Sequence, residues 1–218
     1  MIVTIDGPAG AGKSSAARRL AQRLGFHFLD TGALYRAVTL AAIQKGINLD
    51  DAEALLQVAN NANIVLNDDR VILDGRDVTT LIRSFEITTS TRYAADHPGV
   101  RERLTKLQQG AAAGVDVVTE GRDQATVVFP KAECKIFLTA SEETRAQRRH
   151  QDLVARGENI AYEKVLEKQR ARDYRDQTRP VGALRKANDT IQVITDGMTP
   201  EAVVNLLEEI VHNHMQSG

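Results

Sequence analysis

The stretch Gly7-Pro8-Ala9-Gly10-Ala11-Gly12-Lys13-Ser14 satisfies the spacing G-x-x-x-x-G-K-[ST] at every fixed position. Such a loop turns successive backbone N–H groups toward one point at the start of a helix, where they bind phosphate oxygens. In that arrangement Lys13 reaches the β- and γ-phosphates of a triphosphate, the Ser14 hydroxyl ligates Mg²⁺, and Ser15 extends the cradle. At ordinary residue frequencies the four fixed positions arise by chance in roughly one chain in a hundred of this length, so a glycine-rich turn with another purpose is a poor alternative. The expected ligands are ATP and Mg²⁺.

Three further groupings bear on what else is bound. In Asp30-Thr31-Gly32-Ala33-Leu34-Tyr35-Arg36, Asp30 or Thr31 reads as a helix cap with Arg36 on the first turns and Gly46 as the stop. A capped helix start with a nearby arginine suits an anion, though an ordinary cap beside a surface arginine has the same pattern. Glu120-Gly121-Arg122-Asp123 follows an apolar run, where ligands gather at strand ends in open α/β sheets. Here a carboxylate can act on Mg²⁺ through water and Arg122 can grip phosphate in bidentate fashion. The alternative is a polar turn. Finally, Arg145, Arg148 and Arg149 share one helical face, as do Arg172, Arg175 and Arg179. Asp173 and Asp176 lie among them, so a solvated, ion-paired face is the plainer reading. Mobile arginines over a phosphate loop are, however, what phosphoryl transfer requires.

These groups need a scaffold, and the chain spells one. Ile2–Ile5, 115–119, 135–138 and Ile191–Ile194 are short apolar runs of the kind found in buried parallel strands, with 26–29 a fifth candidate. Helical patterns separate them, which predicts an α/β fold of three layers with a parallel five-stranded sheet. Thr199 caps a last helix with Pro200 at its first position and an apolar stripe through Ala202, Val203, Leu206, Leu207, Ile210 and Val211. Two regions break the alternation. Ile64-Val65-Leu66-Asn67, a turn at Asp68-Asp69, Val71-Ile72-Leu73 and Asp74-Gly75 predict a small antiparallel β piece, inserted and peripheral. Residues 145–179 hold eight Arg and two Lys against six Asp and Glu, and are expected to be helical and lid-like.

Composition sets the class. The 218 residues are 42% hydrophobic and 26% charged with a formal net charge of −1, as in a globular chain with a substantial core. Four per cent aromatics and no basic excess argue against a nucleic-acid partner. No apolar run approaches a membrane span, no leader pattern opens the chain, and the single cysteine, Cys134, lies in an apolar run. A cytoplasmic monomer without membrane or nucleic-acid partners is expected. A GTP switch would carry an N-K-x-D tetrad, which the sequence lacks.

Taken together, Thr4-Ile5-Asp6-Gly7-Pro8, the Asp30–Arg36 segment, Ile72-Leu73-Asp74-Gly75, Pro98 with Val100-Arg101, Gly121-Arg122-Asp123, Thr126-Val127-Val128-Phe129-Pro130, Lys135-Ile136-Phe137-Leu138, Arg145–Arg149 and Arg175–Arg179 resemble the bacterial cytidylate kinases of the nucleoside monophosphate kinase group. The resemblance covers nearly the whole chain. It implies a single domain in three parts: a core of about 1–30, 97–144 and 180–218, an acceptor part of about 31–96, and a lid of about 145–179. It also implies γ-phosphoryl transfer from ATP to CMP or dCMP. Carried over by position, Thr31, Arg36, Arg101, Arg122, Asp123, Asp176 and Arg179 belong to the acceptor site. Arg36 and Arg122 would hold the monophosphate, Arg101 and Asp123 the cytosine edge, and Asp176 and Arg179 the sugar hydroxyls. Lys13, Arg148, Arg149 and Arg172 would touch the transferring phosphate, while Ser14, and Glu120 through water, would hold Mg²⁺. The chain departs from the family at Glu120, where Asp is more usual, at Gln124-Ala125 and at Arg92. The alternatives are a kinase of the same group acting on UMP or a non-nucleotide acceptor, and a nucleotide-binding switch.

Overall fold

The computed structural model describes residues 1–67, 70–155 and 157–217; the expected turn at Asp68-Asp69 lies outside the described residues. In chain order the elements are β1 (Ile2–Asp6), α1 (Lys13–Leu24), β2 (His27–Asp30), α2 (Thr31–Gln44), α3 (Ala52–Asn61), β3 (Ile64–Asn67), β4 (Arg70–Leu73), β5 (Arg76–Asp77), α4 (Phe85–Asp96), α5 (Pro98–Ala111), β6 (Val117–Gly121), β7 (Cys134–Thr139), α6 (Glu142–Ala155), α7 (Tyr162–Thr178), β8 (Ile191–Ile194) and α8 (Pro200–Ser217). A π turn, Gln124–Val128, follows β6. Five strands form the parallel sheet in the order β2-β6-β1-β7-β8, and the chain makes two compact units, 1–26 with 118–218, and 27–117.

In the first unit β1 is buried on both faces from Val3 to Asp6, as a strand inside a parallel sheet is, so Thr4 and Asp6 are buried along with Val3 and Ile5. It pairs in parallel with β7, Val3 opposite Cys134 and Ile5 opposite Ile136, and β7 pairs likewise with β8. The chain runs to one side of β1 and then to the other, so β1 sits at the switch point where open sheets bind ligands. The helix α8 starts as expected: Thr199 Oγ1 accepts the Ala202 N–H at 3.2 Å, and Val203, Val204, Leu207 and Val211 are buried. Arg23 of α1 donates to Asn205 and Glu208 of α8, and Arg19 and Arg23 both pair with Glu201. Strand β6 runs two residues later than expected. Val115 is half-exposed beyond Gly114, whereas Glu120 and Gly121 are buried within the strand rather than in a turn after it.

In the second unit α2 begins at its predicted cap, the Asp30 carboxylate accepting the Ala33 N–H at 2.9 Å, and stops before Gly46. Its core joins Leu34, Val38, Leu55, Ile82, Val100 and Leu104. The antiparallel β piece is present, with Ile64 opposite Leu73 and Leu66 opposite Val71. It is not peripheral to this unit, because Ile64, Val71 and Leu73 on one face belong to that core. A third strand, β5, pairs with β4 through a tight turn in which Asp74 and Gly75 both take positive φ, 49° and 80°. That turn matches the twist of a two-residue hairpin and favours glycine at its second position.

Candidate active site

The phosphate loop leaves β1 under tight constraint. A Cβ on Gly7 would lie 1.9 Å from the Leu138 carbonyl oxygen of β7, so no side chain fits there. Gly12 then caps α1, Ser15 Oγ donates to the Gly12 carbonyl at 2.9 Å, and the loop N–H groups precede the helix that starts at Lys13. Lys13 is only 5% exposed, and its Nζ donates to the Pro8 carbonyl at 2.8 Å. Burial, reinforced by the Arg122 guanidinium, pushes its pKa down to about 7 against the pull of Glu120. Phosphate oxygens placed here would favour the charged amine.

Ser14 Oγ donates to Glu120 Oε1 at 2.8 Å, with Glu120 buried. Starting 106 residues apart in sequence, a hydroxyl and a carboxylate share one spot. Both are hard oxygen ligands, and Mg²⁺ in phosphate-transfer sites takes one or two protein oxygens with water and phosphate completing its shell. The pair fits Mg²⁺. The longer Glu side chain reaches Ser14 directly. Among the described residues no group of three or more His, Cys, Asp and Glu is gathered as a protein-only metal cage.

A cationic cluster belongs to the same unit. Arg122 Nε donates to Asp176 Oδ2 at 2.8 Å and its Nη1 to the Gly121 carbonyl at 3.1 Å. Arg179 Nη1 lies 3.8 Å from Asp176 Oδ1, and its Nε donates to the Gly182 carbonyl. Burial opposes charge on Asp176, yet Arg122, Arg172 and Arg179 outweigh it and hold the carboxyl below its usual range. Desolvation, and then Arg122, bring Arg172 down to about 10. Asp123, 3% exposed, sits between β6 and the π turn.

Helical spacing places Arg145, Arg148 and Arg149 together, but the structure gives them three different surroundings. Arg145 is buried: Nε donates to the Ala140 carbonyl, and Nη1 donates to the loop carbonyl of Ala9 and to Asp173 Oδ2 at 2.6 Å. Arg148 spends its guanidinium on Thr195, donating to Oγ1 at 3.0 Å and to the carbonyl at 2.8 Å. Arg149 is exposed, and Arg172 feels its charge.

In the second unit Arg36 Nη2 donates to both Asp30 oxygens, at 3.2 and 3.0 Å, and Arg83 Nη2 donates to Asp30 Oδ2 at 3.3 Å. Asp30 thus caps α2 and aims two guanidinium groups, while Thr31 beside it is buried. Arg101, 4% exposed, donates to the Ala95 carbonyl at 2.8 Å and lies over the Tyr35 ring at 5.2 Å. Arg92 lies over Tyr93 and donates to its hydroxyl. Sequence reading missed Arg83 and the second duty of Asp30, and it expected Asp173 in a solvated ion pair where the structure buries it with Arg145. It also missed Asp6, although a carboxylate inside an apolar strand is itself a signal of a partner.

A parallel sheet with its strand order switching at β1, a phosphate loop ending in Lys13-Ser14, and a carboxylate facing that serine define a P-loop nucleotide-binding fold. The family model "Cytidylate kinase" matches residues 3–213. A cytidylate kinase of Rhodopirellula baltica is 54% identical over 218 residues, covering all of this chain and 95% of the relative. One of Carboxydothermus hydrogenoformans is 45% identical over 215 residues, covering 97% of each. The chain belongs to the cytidylate kinase family. Shikimate kinase from Bacteroides thetaiotaomicron shares the fold at 12% identity, with a TM-score of 0.51 over 97% of this chain and 98% of that one.

Proposed function

We propose that the chain transfers the γ-phosphoryl group of ATP to CMP or dCMP, giving ADP and CDP or dCDP, and that the residues above do so in the roles their surroundings support. Family membership carries the reaction. The observation that carries the site is the buried Lys13 of the donor loop beside the Arg122–Asp176–Arg172 cluster. An oxygen of the acceptor monophosphate attacks the γ-phosphorus in line as the bond to the β-phosphate oxygen breaks. Positioning and charge neutralisation dominate such a step, so no side-chain base is assigned. Arg122 and Arg36 hold the acceptor phosphate by bidentate contacts, the role the family resemblance implies for each. Arg101 donates to the cytosine N3 and O2, and Asp123 accepts from the 4-amino group, the complement a cytosine edge requires. Thr31 lines the acceptor site, and Asp176 and Arg179 bind the sugar hydroxyls. Arg149 and Arg172 contact the transferring group, joined by Arg148 when it leaves Thr195. Ser14, and Glu120 through water, would hold Mg²⁺, which would neutralise charge on the β- and γ-phosphates.

In functional terms the chain divides into a donor core of about 1–30, 97–144 and 180–218, an acceptor part of about 31–96 and a lid of about 145–179. It works as a cytoplasmic monomer in pyrimidine nucleotide metabolism. The lone cysteine, buried and unable to form an internal disulfide, supports a reducing compartment. No helix among the described residues is long and apolar enough to cross a membrane. A coupled assay for ADP release with CMP, dCMP, UMP and AMP tests the reading. CMP or dCMP should give the highest kcat/KM, and Lys13→Ala should lower kcat at least a hundredfold with the circular dichroism unchanged. Preference for UMP, or normal turnover by Lys13→Ala, contradicts it.

A further inference from the structure

Asp6, one residue before the phosphate loop, is 1% exposed and takes no part in the roles above. Its Oδ1 accepts the Gln124 N–H at 2.9 Å and its Oδ2 accepts the Ala125 N–H at 2.8 Å. Those two amides open the π turn. The turn closes through the Asp123 carbonyl, which accepts from Val127 at 2.9 Å and Val128 at 3.2 Å. Single π turns are rare and concentrate at functional sites, because the i→i+5 spacing displaces the residues before it. On the other side, Gln124 Oε1 accepts from Thr119 Oγ1 at 2.9 Å, and the Gln124 side chain packs so closely on Gly121 that a Cβ there would meet Cγ at 2.8 Å. Arg122 and Asp123 are thereby pinned from both ends.

We infer that Asp6 is a positioning residue for the acceptor-binding pair Arg122 and Asp123: its carboxylate caps the π turn and ties that segment to the strand that leads the phosphate loop. The inference rests on the proposed roles of Arg122 and Asp123. An apolar residue in β1 would bury more cheaply than a carboxylate, which costs free energy unless its hydrogen bonds repay it. Asparagine is no substitute. It offers one acceptor oxygen, and its NH₂ would face the second amide N–H, leaving a buried donor unpaired. The charged groups facing Asp6 are Lys13, Asp123 and Arg122.

Steady-state kinetics of Asp6→Asn and Arg122→Met, with CMP and ATP varied in turn, test this. Asp6→Asn should raise KM for CMP tenfold or more and KM for ATP less than threefold, as Arg122→Met should. If Arg122→Met raises KM for CMP and Asp6→Asn does not, or if Asp6→Asn raises both KM values alike, the positioning role is overturned while the acceptor-site reading stands. If Arg122→Met leaves KM for CMP unchanged, the reading itself fails. Should Asp6→Asn not fold, the amide protons of Gln124 and Ala125 in the unaltered protein decide by NMR. Both should shift together with pH, with one midpoint well above the free carboxyl value; amides that do not titrate, or titrate separately, overturn the inference.

Discussion

Burying an ion costs several kcal/mol unless partners compensate, and several charged groups near the phosphate loop are buried, Asp6, Lys13, Arg145 and Asp173 among them. Desolvation raises Asp6 to about 6, with Asp123 adding to it, while the two amide donors and Lys13 pull the other way. A carboxyl whose folded pKa exceeds its free value of 3.8 favours the fold when protonated. Its contribution is complete below pH 3.8 and is lost as pH rises through about 6. Going from pH 7 to pH 4, the protein should therefore gain about 2 kcal/mol relative to Asp6→Asn. Guanidinium denaturation of both at each pH measures this, and a constant difference would contradict it. Arg145 and Asp173 compensate each other at 2.6 Å, with both side chains over nine-tenths buried. Arg145→Met leaves Asp173 buried with its partner gone, and should cost about 3–5 kcal/mol of unfolding free energy. A loss below 1 kcal/mol would show the pair to be dispensable. The sequence shows these charges but not their fates. Arg145, Arg148 and Arg149 have equivalent spacing, and only tertiary packing assigns one to a buried pair, one to Thr195 and one to solvent.

At the scale of elements, caps and turns were the most legible features, because they depend on residues close in sequence. Asp30, Gly46, Thr199-Pro200 and Asp74-Gly75 all lie where their local chemistry places them. The end of β6 was not legible, since Glu120 and Gly121 continue a strand only because buried neighbours pair with it. Nor was β5, two charged, exposed residues joined to β4 by its ladder. The insertion was recognisable as β, but its burial depends on apolar residues of α2 and α5, distant in sequence, as well as on neighbouring α3. Asp30 joins the local and the distant, capping α2 while pairing with Arg83 53 residues away. Loss of a cap costs about 1 kcal/mol, so Asp30→Ala should lower Tm by about 2–4 °C in a scanning calorimeter. An unchanged Tm would mean that the N-terminus of α2 is held by other contacts.

For the molecule as a whole, folding joins segments far apart in the sequence, and the Ser14–Glu120 contact at 2.8 Å is the clearest case. Chelation with EDTA should abolish turnover, with restoration by Mg²⁺. Glu120→Gln should raise the Mg²⁺ concentration for half-maximal rate about tenfold, an expected loss of about 1.4 kcal/mol. An unaltered Mg²⁺ titration would remove Glu120 from that role. Across the whole chain, the loop with Lys13 and Ser14 was readable as a motif, whereas the Lys13–Arg122–Asp176–Arg172 neighbourhood emerged only on folding. Cys134, in the middle strand pair of the sheet, has no solvent-exposed surface, and burial pushes its thiol up to about 12. At neutral pH it is therefore silent toward maleimide and iodoacetamide reagents, which attack thiolates. A second cysteine introduced at exposed Val154 would be the one site to take a fluorophore, so the α6–α7 segment can be watched during turnover without first deleting a native residue.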